Sequence, residues 1–284
     1  MQLPKIGGHV SVAGGLSNCV KNAKEIGAET IQIFAGSPRK YDVLKLNKEE
    51  FERYKEGIKK ENISPVYIHA SYLVNLASEE KRILENSTKC IIETLQFASK
   101  IDATGVVYHP GSPKGRSKEK ALEREIIAIK RILKEAPSDV FLIIENTAGL
   151  KKIGTDPNEI GYIFQQVDSK NLRVCIDTAH SLESGNIERF NDEEIEKWLF
   201  WWEKEVGLNN LSLLHVNDSL TKSSSYHDSH ANIGEGFIGI EGFQRLMRFE
   251  KLKKIPWVLE VPGFDNTGPD KKNIDFLKKI RVSR

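Results

Sequence analysis

Apolar residues in this chain gather into eight runs of four to six: Ile6–Val10, Thr30–Phe34, Pro65–His69, Gly105–His109, Val140–Glu145, Leu172–Asp177, Leu211–His215 and Trp257–Glu260. Their content of β-branched and aromatic residues predicts strands. After each run comes a longer, charge-rich stretch whose apolar positions recur with helical spacing. The predicted helices run from Gly14-Gly-Leu16 to Ile26, from Lys48 to about Lys60, Ser78–Lys100, Lys118–Glu135, onward from Asp156-Pro157, Asp192–Val206, Ile240–Lys253 and Lys271–Ile280. Asn47 suits the N-cap of the second, because its side-chain oxygen can accept from an unpaired N–H of the first turn. Pro157 suits a first turn, where its missing N–H costs nothing.

Eight strand-then-helix units in 284 residues is the length of a closed (β/α)8 barrel. Near-continuous apolar strands alternating with amphipathic helices imply parallel strands covered on both faces. An open doubly wound sheet is the competing α/β architecture. No Pro/Gly/Ser-rich linker interrupts the series, so residues 1–284 read as one domain.

Composition narrows the setting. The chain is 39% hydrophobic and 29% charged, without a run of eighteen apolar residues or a signal-like N-terminus, which predicts a cytoplasmic protein with no membrane association. Cys19, Cys90 and Cys175 are far apart and outside any CxxC pattern, as expected of reduced, buried thiols. A net charge of +2 neither requires nor excludes a nucleic-acid partner, since a local basic patch suffices.

The strand ends carry the chemistry. Six runs finish on a metal-competent side chain: His69, His109, Glu145, Asp177, His215 and Glu260, at gaps of 40, 36, 32, 38 and 45 residues. In a closed parallel barrel all six lie on one face, where barrel active sites are built. The residues two before them, Tyr67, Val107, Ile143, Cys175, Leu213 and Val258, point the same way one layer lower and form a mostly apolar plug. Three more candidates stand on loops: His180, Asp228 and His230. The set uses five of the chain's seven histidines; His9 and His227 are excluded as ligands, His9 being expected to bond nearby backbone. Imidazole and carboxylate without thiolate suit zinc, manganese or iron. With about three protein ligands per hydrolytic zinc, nine imply two or three ions.

Six motifs, in order, resemble the endonuclease IV family: Ile68-His-Ala-Ser-Tyr-Leu73, Tyr108-His-Pro-Gly-Ser112, Ile144-Glu-Asn-Thr-Ala-Gly149, Cys175-Ile-Asp-Thr-Ala-His180, His215-Val-Asn-Asp218 and Asp228-Ser-His-Ala-Asn-Ile-Gly-Glu-Gly236. The opening Gly8-His-Val-Ser-Val-Ala-Gly-Gly15 is similar too, so the resemblance covers nearly the whole chain. It implies a TIM barrel with three zinc ions that repairs double-stranded DNA. Cleavage would fall 5′ to an abasic site, leaving a 3′-hydroxyl and a 5′-deoxyribose phosphate, and blocked 3′ ends would also be removed. By the same resemblance His69 and His109 hold one ion, Asp177, His215 and Glu260 a second, and His180, Asp228 and His230 a third. Glu145 bridges the first two and orients the attacking water. Arg39 matches the family's DNA-penetrating loop, Tyr72 and Leu73 offer an aromatic and an aliphatic wedge for the duplex or else cap the core, and a monomer suits a face that must accept a duplex. Lys114 and Arg116 are either phosphate contacts or solvated loop charges.

The chain departs from the family pattern in four places. Leu150-Lys-Lys152 stands where Gln-Gly and a small hydroxyl residue are usual, and Ser229 where Arg is usual. Leu220 replaces a common Lys, and Tyr41 a frequent Trp. None is a candidate ligand, so the departures bear on DNA contacts. The rival reading is a single-metal sugar isomerase or epimerase of the xylose-isomerase-like group, using four ligands resembling Glu145, Asp177, His215 and Glu260. It leaves His69, His109, His180, Asp228 and His230 without a purpose. A DNA-binding protein without catalysis would not need an intact set of nine.

Overall fold

The computed structural model describes residues 3–114 and 117–282. Eight parallel strands close into a barrel: β1 (Ile6–His9), β2 (Ile31–Phe34), β3 (Val66–His69), β4 (Gly105–Tyr108), β5 (Phe141–Glu145), β6 (Leu172–Asp177), β7 (Leu211–His215) and, after a small excursion, β10 (Trp257–Leu259). Strand order around the barrel follows the sequence, and β10 pairs with β1 to close it. The excursion is a two-stranded antiparallel hairpin, β8 (Asp218–Ser219) with β9 (His230–Ala231). The helices are α1 (Asn18–Ile26), α2 (Lys48–Lys60), α3 (Lys81–Lys100), α4 (Lys118–Glu135), α5 (Pro157–Val167), α6 (Thr178–Glu183), α7 (Asp192–Glu205), α8 (Gly239–Leu246) and α9 (Lys271–Val282).

The expected barrel is present, and its elements depart from the predicted bounds for local reasons. Helix α1 begins at Asn18 because Gly14 and Gly15 take φ of 84° and 139°, outside the right-handed helical region. Helix α3 starts three residues later than expected, since the Ser78 hydroxyl accepts from Glu80 N (3.1 Å) and holds a turn there. The predicted helix over 240–253 splits into α8 and a 3-10 turn at Glu250–Leu252, because Phe249 is extended (φ −70°, ψ 117°). Asn47 caps its helix as predicted, its Oδ1 accepting from Glu50 N at 2.8 Å; Pro157 stands in the first turn as expected, behind Asp156, whose Oδ1 accepts from Asn158 N at 2.8 Å.

The core divides in two. One body of aliphatic and aromatic side chains fills the space between strands and helices. A separate cluster inside the barrel consists of Tyr67, Val107, Ile143, Cys175, Leu213 and Val258, packed on Phe141. These six are the residues that strand alternation placed beneath the polar ring. Tyr67 keeps its hydroxyl satisfied by donating to Ser212 O (2.9 Å). The plug keeps water from the underside of the ring, so polar groups above it are desolvated from below.

Truncating the centre of this plug tests its weight. Ile143 is fully buried, so Ile143→Ala should lose about 2–5 kcal/mol, the usual cost of an unfilled core cavity. Chemical denaturation followed by circular dichroism reads this, and a loss below about 1 kcal/mol would mean that the plug collapses around the gap.

Candidate metal centre

All nine sequence candidates meet at the C-terminal mouth of the barrel. His69, Glu145, Asp177 and His215 are the last residues of β3, β5, β6 and β7, while His109 and Glu260 stand one residue beyond β4 and β10. His180 comes from α6, a turn and a half of helix that the apolar pattern does not announce, and Asp228 and His230 come with the β8–β9 hairpin. Asp177 caps α6 by accepting from His180 N (2.9 Å), so the residue ending the strand also aims the histidine three places on.

Ligating atoms fall into overlapping groups within 4.8 Å: His69, His109 and Glu145; Glu145, Asp177, His215 and Glu260; Asp177, His180 and His230; His180, Glu183 and Asp228. Glu145 is the hub. Its Oε2 lies 3.4 Å from His69 Nε2 and 3.2 Å from His109 Nε2, and its Oε1 lies 2.9 Å from His215 Nδ1 and 3.3 Å from His180 Nδ1. Asp228 Oδ1 stands 3.3 Å from His180 Nε2 and 3.8 Å from His230 Nε2.

The tautomers can be read from the partners. The Nδ1 atoms of His69, His180 and His230 face the carbonyl oxygens of Ala70 (2.7 Å), Asn146 (2.9 Å) and Glu260 (3.3 Å). A carbonyl only accepts, so these Nδ1 atoms carry the proton and leave the Nε2 lone pairs aimed inward. His215 is set the other way: its Nε2–H donates to Gln32 Oε1 (2.9 Å), turning the Nδ1 lone pair toward Glu145 and Glu260. Lone pairs and carboxylate oxygens facing one another at about 3 Å repel unless a proton or a metal cation lies between them. The Nε2 atoms of His69, His109, His180 and His230, and Glu145 Oε2, are buried and lack a hydrogen-bond partner among the described residues. This donor set, with the outer nitrogens of His69, His180, His215 and His230 already engaged, fits metal ions.

The carboxylates and imidazoles of the group are electrostatically coupled. Burial alone would push the Glu145 carboxyl up, but His215 and His109 beside it hold it well below the usual carboxylate range. Burial lowers His109 below the ordinary imidazole value despite Glu145 nearby, whereas against burial Asp177 raises His180, and Cys175 and Glu145 raise His215, well above it. Cys175 lies within 4.8 Å of Glu145 and His215, yet burial pushes its thiol up to about 12, so it stays protonated within the plug.

The sequence reading missed the residues that hold the ligands. Gln32 Nε2 donates to Glu260 Oε1 (2.6 Å) and to His9 Nδ1 (3.0 Å), while its Oε1 fixes His215. His9 therefore meets side chains, with Glu260 Oε1 at 3.4 Å, rather than the backbone expected of it. Asn217 Nδ2 donates to Asp177 Oδ2 (2.6 Å), and Asn217 Oδ1 accepts from Glu260 N (2.7 Å). Glu183 Oε1 accepts from Ser219 Oγ (2.6 Å) and Ser229 N (3.1 Å), tying the hairpin to α6. Gln32 and Asn217 carried a usable signal: each is a polar residue of inward strand parity in an apolar run or two residues after its end. Glu183 carried none beyond its place one turn after His180.

Two loops flank the metal groups. Tyr72 and Leu73 are 62% and 42% exposed, with the Tyr72 ring edge-on to Phe34 and His69. The exposed Arg39 belongs to a loop docked on theirs, since Tyr72 N donates to Pro38 O (3.0 Å) and Tyr41 Oη to Leu73 O (2.9 Å). A cavity of about 800 Å³ opens between Tyr72, Leu73, His109, Lys114, Lys152 and Asp228. Arg116 lies outside the described residues. His227 is exposed, and no helix among the described residues is long and apolar enough to cross a membrane.

A family model described as a xylose isomerase-like TIM barrel matches residues 20–280. "Probable endonuclease 4" of Halothermothrix orenii is 34% identical over 277 residues, covering 97% of this chain and 99% of that one. Its counterpart in Aquifex aeolicus is 35% identical over 276 residues, covering 96% of each. The chain belongs to the endonuclease IV family. Endonuclease IV from Thermus thermophilus superposes with a TM-score of 0.85 at 31% identity, covering 98% of both chains. A D-tagatose 3-epimerase-like protein also matches, with a TM-score of 0.71 over 97% of this chain and 95% of its own. At 21% identity that match shows the shared barrel alone.

The loop carrying His109 has a titrating anchor. Glu125, fully buried on α4, accepts from Gly111 N (3.1 Å) and Tyr108 Oη (3.3 Å), and burial pushes its carboxyl up to about 7 from 4.5. Between those values the folded protein keeps a proton that the unfolded chain has released. This group's stabilisation is therefore complete below about pH 4.5 and falls as pH rises through about 7. Glu125→Gln should flatten that part of the stability–pH curve, worth on the order of 3 kcal/mol at 1.36 kcal/mol per unit. Parallel slopes for variant and parent between pH 5 and 8 would contradict it.

Proposed function

We propose that this protein is a DNA repair nuclease that hydrolyses the phosphodiester 5′ to abasic sites in double-stranded DNA, leaving a 3′-hydroxyl and a 5′-deoxyribose phosphate. Removal of blocked 3′ ends belongs to the same reading. The observation that carries it is the set of buried, unpartnered imidazole nitrogens around Glu145, opening into a cavity flanked by exposed side chains, in a member of the endonuclease IV family.

Three zinc ions fit this donor set, with manganese or iron as replacements. His69 and His109 would hold one, Asp177, His215 and Glu260 a second, and His180, Asp228 and His230 a third, with Glu145 shared by the first two. When bound, such ions supply a nucleophilic water near neutral pH and neutralise charge on the phosphoryl and leaving oxygens. The protein's own part is orientation. Glu145, its two oxygens divided between His69/His109 and His215/His180, aims the attacking water along one axis of the group. Asn217 and Gln32 hold Asp177, Glu260 and His215 so that they need not reorganise during the reaction. The plug excludes water from beneath, which strengthens every charge interaction above it.

Tyr72 and Leu73 would enter the duplex beside the missing base, and Arg39, on the loop braced against theirs, would fill the gap left by an extruded nucleotide. A monomer in the cytoplasm suits an open mouth that must receive a duplex. The sugar isomerase alternative uses Glu145, Asp177, His215 and Glu260, which do form a group by themselves. The second cluster around His69 and His109, and the third around His180, have no task in it.

Elemental analysis of the purified protein combined with an abasic-duplex cleavage assay decides between the two. About three ions per chain, mainly zinc, with cleavage lost in Glu145→Gln but its folding retained, is the expected result. One ion per chain with turnover of a ketose, or near-normal cleavage by Glu145→Gln, would sink the reading. Tyr72→Ala should weaken abasic-duplex binding by about tenfold, the cost of losing one stacked aromatic, and leave the metal count alone. Unchanged binding in a fluorescence anisotropy titration would remove Tyr72 from the DNA contacts.

A further inference from the structure

The β5–α5 loop carries Leu150-Lys-Lys152, and the structure shows where the second lysine goes. Lys152 Nζ lies 3.4 Å from Asp228 Oδ2, at the mouth of the cavity. Asp228 thus divides its oxygens: Oδ1 faces His180 and His230, and Oδ2 faces the ammonium. The lysine is held from both sides. Its N–H donates to Gly149 O (2.8 Å), Ile153 N donates to Gly111 O (3.0 Å), and Thr147 Oγ1 donates to Ile153 O (2.9 Å). Its aliphatic stem lies across Gly149, where a Cβ would come within 3.0–3.2 Å of it, so glycine leaves the path open. At 37% side-chain exposure the ammonium is free to exchange partners.

We infer that Lys152 is a phosphate-binding residue of this chain, contacting a phosphate oxygen of DNA docked at the His180–Asp228–His230 group. The inference rests on the nuclease reading. A compact cation with three donors suits a phosphate oxygen. Ser229, next to Asp228, carries no charge, and Lys152 places a cation beside Asp228. Asp228 parks the ammonium before DNA arrives and keeps its other oxygen on the histidines. The contact reads phosphate position and not base identity, so it sets affinity and register along the strand.

The test compares the zinc-loaded parent, Lys152→Met and Lys152→Arg. Binding is measured against sodium chloride on a duplex already nicked 5′ to a tetrahydrofuran residue, which cannot turn over. Lys152→Met should bind about 10-fold more weakly, as expected for one charge-assisted contact. Its log affinity–log salt slope should drop by about 0.9, with the zinc count unchanged and Lys152→Arg near the parent. An unaltered slope in Lys152→Met, in a parent that cleaves abasic DNA, overturns the inference and leaves the nuclease reading standing. Loss of zinc in Lys152→Met also overturns it, since the lysine would then be only a prop for Asp228. A parent that neither binds nor cleaves abasic duplex fails the nuclease reading itself and takes this inference with it.

Discussion

A carboxylate with no access to solvent, surrounded by imidazoles, is the constraint from which the rest of this structure follows. Glu145 ends its strand above an apolar plug and below an open mouth, fully buried. A charge in that position is tolerable only if opposite charge is brought to it. The barrel does this by ending neighbouring strands on histidine and orienting four of the five rings through the outer nitrogen. Backbone carbonyls set three of these rings, and the Gln32 carboxamide sets His215. The lone pairs so directed cannot satisfy one another and need a proton or a metal cation between them and the carboxylates.

Layering makes this arrangement stable enough to fold. Residues of one strand parity supply the plug, and the next residues of that parity supply the ring. The plug gives the hydrophobic return that carries the polar layer, and parallel closure fixes the angular position of each ligand without recourse to loops. Loops then supply what the strands cannot: His180 through a short helix capped by Asp177, and Asp228 and His230 through a hairpin fastened by Glu183.

Much of this was legible in the sequence because both periodicities are strong. The eight apolar runs gave the barrel, and the parity of two within them gave all six members of the plug. The strand-end rule reached His69, His109, Glu145, Asp177, His215 and Glu260 without any structure. Element edges were less legible, since they turn on single torsions: the positive φ of Gly14 and Gly15, and the extended Phe249. The supporting partners were least legible. Gln32 lies in a strand that reads as apolar, His9 was set against backbone and lies beside Glu260, and Glu183 acts through a hairpin distant in sequence. Such partners are chosen by proximity in three dimensions, which spacing along a chain does not encode.

Strand-borne and loop-borne ligands are held in place by different contacts. Glu145, Asp177, His215 and Glu260 belong to the frame of the barrel and cannot be moved without moving a strand. Asp228 and His230 ride on an inserted hairpin between β7 and β10 that leaves the barrel's closure untouched. The hairpin is seated instead by buried Asp218, Ser219 and Ala231 and by its bonds to Glu183, so the third group of ligands answers to packing on α6 while the others answer to strand register.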